Sequence, residues 1–307
     1  MKKVSIIAVN YNHSHITEEM LHSIWQTNTY PNIELIVVDN GSKINPVTSW
    51  QEQYPLVTFI RSEINTGFAG GNNIGINRSC GDYIFLVNND TEFTPGLIET
   101  LVHTLESNEK IGMVSPKIKY FDQKNILQYV GYTPMNYYTA RNKQVGLMEE
   151  DHGQYDYMVA PTGFAHGAAM MLKRDVIIKA GLMAENFFLY YEEMDWCDRI
   201  KHCGFEIWVN TNALIYHKES VSVGKRSALK EFFMNRNRIL FERRNAPAFA
   251  KYIFFIHFCC IVTPRNIVTY INNKEWAFIT LPFKAIWWNI TNSVNSNKLG
   301  FNLNIKK

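Results

Sequence analysis

An α/β fold, with a mostly parallel twisted sheet flanked by helices, is predicted by three observations. Four short apolar runs occupy residues 4–9, 33–38, 57–60 and 84–87, none with the alternation of a half-exposed strand. Such runs fit strands covered on both faces. Helix-like stretches separate several of them, the βαβ pattern of a parallel sheet. Each run also ends abruptly in polar residues, and in open α/β sheets ligands gather outside the carboxyl ends of the strands. The chain of 307 residues, 46% hydrophobic and 19% charged, is globular and has room for one large domain or two modest ones.

The first run breaks at Asn10-Tyr11-Asn12, and an amphipathic helix is expected from Ile16. The second ends in Asp39-Asn40-Gly41-Ser42, the fourth in Asn88-Asn89-Asp90. A helix over 97–105 is predicted, with Thr94 as N-cap and Pro95 at its first position. Residues 112–157 show looser patterning, and Gly163, Gly167, Ala168 and Ala169 precede the apolar Met170-Met171-Leu172. Small residues there let backbone approach a ligand. Aromatic residues 187–191 lead into a helix with acids in its first turn, basic residues near its end and Gly204 closing it. Two short strands are expected at 205–209 and 213–216, with His217 at the end of the second. Residues 218–227 read as a polar, cationic loop able to close over a ligand.

Beyond Ala228 the chain turns helical, basic and aromatic. The apolar run 252–262 is expected to stop at Pro264, short of the ~20 residues of a membrane-spanning helix. Trp287 and Trp288 beside Lys284 suit an interfacial helix. Three partners stand open for this region: the rest of the fold, an inner membrane surface, or a second copy in a homodimer. A formal charge of +3 gives no ground for nucleic acid. Five cysteines without framework spacing suit reduced thiols, and Cys197 and Cys203 around His202 lack the paired spacing of a zinc site. The apolar N-terminus is read as a strand, being too short for a signal peptide, and the expected compartment is the cytoplasm.

Four strand-end motifs carry the chemistry. Asp39 can accept hydrogen bonds from a base or ribose, or close an Asx-turn. Residues 65–75, with Asn65, Gly67, Asn72 and Asn73, offer backbone N–H groups ahead of a helix. Their spacing is neither the dinucleotide fingerprint nor a P-loop. Asn88, Asn89 and Asp90 present oxygen ligands for a hard cation beside a diphosphate. Glu192 and Glu193 are clustered like charges, which raise one another's pKa and suit a general base.

In this order, residues 5–12, 37–42, 65–75, 83–91, 167–172, 187–199 and His217 resemble the family-two glycosyltransferases of GT-A fold, most closely their rhamnosyltransferase-like branch. The resemblance covers residues 1–245 and implies a GT-A domain over 1–227, with a nucleotide-binding half (1–110) and an acceptor half (111–227), followed by a helical region over 228–307. It implies inverting transfer of a sugar from a nucleoside diphosphate, dTDP-rhamnose or a UDP-sugar, to a saccharide or lipid-linked saccharide in polysaccharide or glycan-antigen synthesis. Asn10, Asn12, Asp39, Asn65, Gly67, Asn72, Asn73, Asn88, Asn89 and Gly167 would line the nucleotide-sugar site. Asp90, with His217, would hold Mn²⁺ or Mg²⁺; Asn88 stands where the family has its first acid, leaving one carboxylate fewer. Glu193 is the expected base, with Glu192 and then Asp195 after it. Two rivals are a catalytically silent nucleotide-sugar or glycan-binding module and a sugar nucleotidyltransferase. The latter wants a basic glycine-rich loop after the first strand, which residues 10–15 lack.

Overall fold

The computed structural model describes residues 1–219 and 226–303. Its first half runs β1 (Val4–Asn10), α1 (Ser14–Thr27), β2 (Ile33–Asn40), α2 (Val47–Gln53), β3 (Val57–Ser62), α3 (Gly67–Arg78), β4 (Tyr83–Asn88), β5 (Thr91–Phe93) and α4 (Leu97–Ser107). The second half holds β6 (Ile111–Tyr120), β7 (Leu127–Tyr129), β8 (Val159–Pro161), β9 (Ala169–Lys173), α5 (Arg174–Ala180), α6 (Glu192–His202) and β10 (Glu206–His217). The helices α7 (Ala228–Asn245), α8 (Ala248–His257), α9 (Thr263–Asn272) and α10 (Leu281–Thr291) follow.

One sheet has the order β3-β2-β1-β4-β9-β6-β10-β5. Strands β3, β2, β1 and β4 are parallel, and β9 joins antiparallel, so the sheet is parallel on the side of the first strand ends and mixed beyond. Successive residues of a strand point to opposite faces, and the apolar runs serve both. Ile6, Leu35, Val37 and Phe85 pack on one side with Met20, Ile24, Trp50 and Leu101. Ile7, Ile36, Val38 and Leu86 pack on the other with Ile76, Trp196 and Leu240. This two-sided burial is why the strands read as unbroken apolar stretches.

Four local expectations change. The glycines of residues 65–75 are not an open turn; α3 begins at Gly67, and the later ones let it lie close on the sheet. A Cβ on Gly75 would sit 2.3 Å from Ile7 Cγ2 and one on Gly71 2.7 Å from Val9 Cγ1. Helix α4 is not capped by Thr94 with Pro95 at its first position: left-handed Gly96 (φ 76°) starts it, while Thr94 Oγ1 donates to Leu214 O at 2.5 Å. The two strands expected over 205–216 are one, β10, with a register irregularity between Asn210 and Leu214. The stop expected at Pro264 does not occur. A π turn (Phe258–Val262) precedes the proline, so its missing N–H falls where the i→i−4 ladder is already displaced. Residues Ala248–Asn272 form one 25-residue helix, long and apolar enough to cross a membrane by length and composition, with 22% of its most apolar window buried. Of the expected lid, residues 220–225 lie outside the described residues. Lys218 pairs with Glu19, and Arg226 with Glu275 at 2.7 Å and Glu231 at 3.3 Å.

Gly67 sets the approach of α3 to the rest of the fold. Its φ is +78°, and a Cβ there would lie 2.2 Å from Phe188 O. Gly96 is equally left-handed, with nothing within 4 Å. Gly96→Ala therefore costs only the left-handed conformation, roughly 1–2 kcal/mol. Gly67→Ala adds a backbone clash, and its melting temperature should fall several degrees further than that of Gly96→Ala when the two are compared by calorimetry.

Candidate active site

The carboxyl ends of β1, β2, β3 and β4 are tied by one polar network. Asn10, last residue of β1, donates to Asp39 Oδ1 at 2.7 Å and accepts from Thr17 Oγ1 at 3.0 Å. Asn89 donates to Thr17 Oγ1 at 2.9 Å. Asp39 is fully buried and accepts from Ser42 Oγ at 2.5 Å and from Arg61 at the end of β3. Asn12 is left-handed (φ 62°), with Oδ1 accepting from Lys43 N at 2.9 Å and its N–H donating to Ser42 Oγ at 2.8 Å. Asn65 Oδ1 accepts from Gly67 N at 2.8 Å and opens α3.

The structure thus brings Asn10, Asn12, Asp39, Asn65 and Asn89 to one edge. Asp39 lies beneath it with its oxygens already used. Asn72 bonds back within its own helix, to Phe68 O at 3.0 Å. Asn73 is closed on Met183, its amide donating to the carbonyl at 3.0 Å and accepting from the N–H at 3.1 Å, and it also reaches Glu185 Oε1 at 2.9 Å. These two asparagines hold the framework and do not face the edge group.

Asp90 and His217 meet although 127 positions apart, because β5 pairs antiparallel with β10, Thr91 opposite His217. His217 Nε2 lies 3.1 Å from Asp90 Oδ1. Gln128 Oε1 accepts from His217 Nδ1 at 2.9 Å, and Asn88 Nδ2 lies 3.3 Å from Nε2. With Nδ1 as donor, a neutral ring turns the Nε2 lone pair toward the Asp90 oxygen, which has no other partner and is buried. Two lone pairs at that distance repel unless a proton or a cation lies between them. The oxygen–nitrogen pair suits a hard or borderline divalent cation. Among the described residues no group of three or more His, Cys, Asp and Glu side chains is placed to hold a metal ion.

The acids of α6 follow a loop of unusual backbone. Phe188, Tyr190 and Tyr191 have φ of 66°, 70° and 72°, a conformation costing about 1–2 kcal/mol for each such residue. Side chains from α7 hold it. Asn237 Nδ2 donates to the carbonyls of Phe187, Leu189 and Tyr190 at 2.9, 2.7 and 2.8 Å. Arg236 donates to Asn186 O and to Phe187 O at 3.0 Å, its guanidinium lying over the Phe233 and Trp288 rings. From the opposite side Phe68 N donates to Phe188 O at 2.7 Å, which couples the loop to the start of α3.

Glu192 is buried, and its Oε2 reaches no donor. Burial pushes it well above the usual carboxylate range and the Glu193 charge pushes it further, against Arg236. Glu193 is half-buried, and burial raises it too, opposed by backbone N–H groups. It lies beside Gly167, where an added Cβ would meet Glu193 Cγ at 3.8 Å and Phe68 Cζ at 4.0 Å. Those are ordinary contacts, so Gly167 is packed against Glu193 and Phe68 with room for no more than a methyl group. The same segment reaches Asp90: Asn88 N donates to Ala168 O at 2.9 Å, and the His166 ring lies 6.2 Å from that of His217. Residues 166–168 therefore separate Glu193 from the Asp90–His217 pair. Asp195 points elsewhere, fully buried, and binds Arg199 at 2.9 Å, Arg244 at 2.7 Å and Asn245 at 3.0 Å.

A model of glycosyl transferase family 2 matches residues 5–179. The chain belongs to this family. The family-2 chain is 27% identical over 242 residues to a low-salt glycan biosynthesis hexosyltransferase of Haloferax volcanii, covering 77% of this chain and 74% of that one. It is 21% identical to an N-acetylglucosaminyl-diphospho-decaprenol L-rhamnosyltransferase of Mycobacterium tuberculosis, over 69% of this chain and 75% of that one. Among solved structures it resembles a mannosyltransferase of Pyrobaculum calidifontis in complex with GDP-Man and Mn²⁺, with TM-score 0.57, 16% identity, and coverage of 94% and 87%. The fold is GT-A, and the chain is a glycosyltransferase of glycan biosynthesis.

Thr17, Ser42, Arg61, Gln128, His166, Arg236 and Asn237 join the site without having been expected. Arg61-Ser62 ends β3, so the strand-end rule applied to that run finds it. Gln128 and Asn237 carry no local signal, because a strand and a helix distant in sequence bring them in. Burial and the neighbouring His217 lower His166 to about 3, which keeps it neutral.

Asp195 and Glu193 should separate in denaturant unfolding. Asp195→Ala strands two arginines beside a buried site and should cost about 3–5 kcal/mol. Glu193→Gln removes a charge that burial disfavours and should leave stability unchanged or raise it.

Proposed function

We propose that this family-2 glycosyltransferase moves a sugar, with inversion, from a nucleoside diphosphate to a saccharide hydroxyl. The donor is a dTDP- or UDP-sugar. The observation that carries this reading is Glu193, with a raised pKa, set beside Gly167 and across residues 166–168 from Asp90 and His217. Glu193 accepts the acceptor's hydroxyl proton as the oxygen bonds to the anomeric carbon; the bond from that carbon to the diphosphate breaks, and the nucleoside diphosphate leaves with the electron pair. Donor binding falls to the edge formed by Asn10, Asn12, Arg61, Asn65 and Asn89, which Asp39 organises from below. Gly67, turned left-handed at the start of α3, shapes that edge. Asn72 and Asn73 support it. A divalent cation, Mn²⁺ or Mg²⁺, held by Asp90 and His217 would supply positive charge for the leaving diphosphate, which completes its ligand set with phosphate oxygens. Asp195 fixes α6 against α7, and Glu192 stays protonated and backs Glu193.

The acceptor is a lipid-linked saccharide, met at the inner membrane surface by the helical region after Ala228. From Ala246 onward the sequence carries Lys251, Arg265, Lys274, Lys284, Lys298, Lys306 and Lys307 against one acid, Glu275. That acid is tied to Arg226. Phe249, Tyr252, Ile256, Ile261 and Val268 are exposed along the 25-residue helix, and Trp276 and Trp287 are exposed beside lysines. Cations and exposed indoles together suit an anionic interface.

Glu193→Gln should retain nucleoside diphosphate-sugar binding in calorimetry while turnover falls at least a hundredfold. In the native enzyme the base works ionised, so its raised pKa places the acid limb of the kcat profile above the ordinary glutamate value of about 4.3. Activity is then lost as pH falls through that limb; a limb at the ordinary value contradicts the assignment.

Thermal midpoints with UDP, dTDP and their sugars test the donor site, since a ligand of the folded state raises the midpoint by mass action. The shift with UDP or dTDP should grow with Mn²⁺, and Asp90→Asn should abolish that growth while leaving the metal-free shift. No shift with any nucleotide would return the chain to the reading of a glycan-binding module.

A further inference from the structure

A cluster of arginines that form no ion pair among the described residues lies within electrostatic reach of Tyr191. Arg141 closes the turn over 136–141, whose Asn136 and Arg141 form an isolated bridge. Ala140 packs against Ile239 of α7, Phe254 of α8, and Phe258 and Val262 of the π turn. That packing sets Arg141 against Arg238, His257 and the start of α9, where Arg265 follows. Arg238 Nη2 donates to Thr139 O at 2.5 Å, pinning the turn. The charges of Arg141 and Arg265 both act on Arg238 and on His257. Among the described residues Arg141, Arg238 and Arg265 form no ion pair, whereas Arg61, Arg199, Arg226 and Arg244 each do.

The same junction holds most of the buried side-chain atoms that lack a hydrogen-bond partner. They are Asn142 Nδ2, Arg238 Nε, both Glu242 oxygens, His257 Nε2 and Thr263 Oγ1. Buried polar atoms are normally paired, so unmet donors beside unpaired cations point to an anionic ligand. Glu242 does not oppose this at neutral pH, because burial pushes its carboxyl up to about 8 and leaves it a donor.

Resting on the lipid-linked acceptor proposed above, we propose that Arg141, Arg238 and Arg265 bind the acceptor's diphosphate. Tyr191 lies within electrostatic reach of Glu193, Arg238 and Arg141. The junction falls midway along the 25-residue helix, on which Phe249, Tyr252, Ile256, Ile261 and Val268 are exposed. Base, cations and exposed apolar side chains are the three groups that a sugar hydroxyl, its diphosphate and its lipid tail require.

The test uses the full chain with UDP and dTDP in excess to fill the donor pocket. Farnesyl diphosphate is the probe, farnesol the uncharged control, and vesicles of phosphatidylcholine with phosphatidylglycerol the membrane arm. Arg141→Gln/Arg265→Gln alters two exposed side chains, and an unchanged melting temperature confirms its fold. The double variant should bind farnesyl diphosphate at least tenfold more weakly, with farnesol binding unchanged. Equal binding of farnesyl diphosphate by both proteins overturns the site, and so does a native enzyme that does not prefer it to farnesol. A variant that loses vesicle binding but keeps farnesyl diphosphate overturns it too, in favour of a headgroup site. Transfer to a soluble saccharide, measured alongside, tests the enzymatic reading separately; it can fail while the diphosphate site stands, or persist while that site falls.

Discussion

The structure depends most on the hydrogen bonds that hold residues 187–191 in a left-handed path. Three non-glycine residues there have positive φ. Left to itself such a segment would relax, since each residue gains by leaving that region. It is kept by a side-chain amide and a guanidinium from α7 and a backbone N–H from α3, all on its carbonyls. Helix α7 is therefore part of the framework of the candidate site, although it follows the last sheet strand. The acids at the start of α6 inherit their direction from this clamp.

Helical geometry then sorts those acids. At about 100° per residue, Glu193 and Asp195 point to nearly opposite sides of α6. Asp195 meets two arginines and an asparagine and is fully committed. Glu193 lies against Gly167 and is half-buried, and Glu192 lies between, buried without a donor at Oε2. Burial disfavours charge on the last two, whereas Asp195 has cations at hand. Three acids within four residues thus acquire different properties from their surroundings.

On the donor edge the constraint is saturation. Asp39 is buried and receives donors from β1, from its own turn and from β3. Its physical effect is to lock three strand ends into one shape, leaving the contact surface to the side chains around it. Asp90 and His217 show the complementary condition, a buried carboxylate oxygen and a ring nitrogen 3.1 Å apart that need a proton or a cation between them. One pattern locks strand ends together, and the other leaves a buried oxygen whose partner depends on the protonation of the ring beside it.

The sequence by itself determined the βαβ half, because strands buried on both faces must be apolar throughout and must end where polar residues begin. It also determined which strand ends carry acids and amides, and therefore Asp39, Asp90 and Glu193 as residues to examine. Only the tertiary structure decided that glycines 71 and 75 serve helix-to-sheet packing, that Asn73 is closed on Met183, and that Asp195 is an ion-pair centre. It also brought Gln128, His217, Arg236 and Asn237 to their places. Those contacts join residues from 47 to 127 positions apart, and no local pattern encodes a meeting that depends on how sheet and helices close. The long helix through Pro264 has the same cause: a proline ends a regular helix, but a π turn ahead of it removes the conflict.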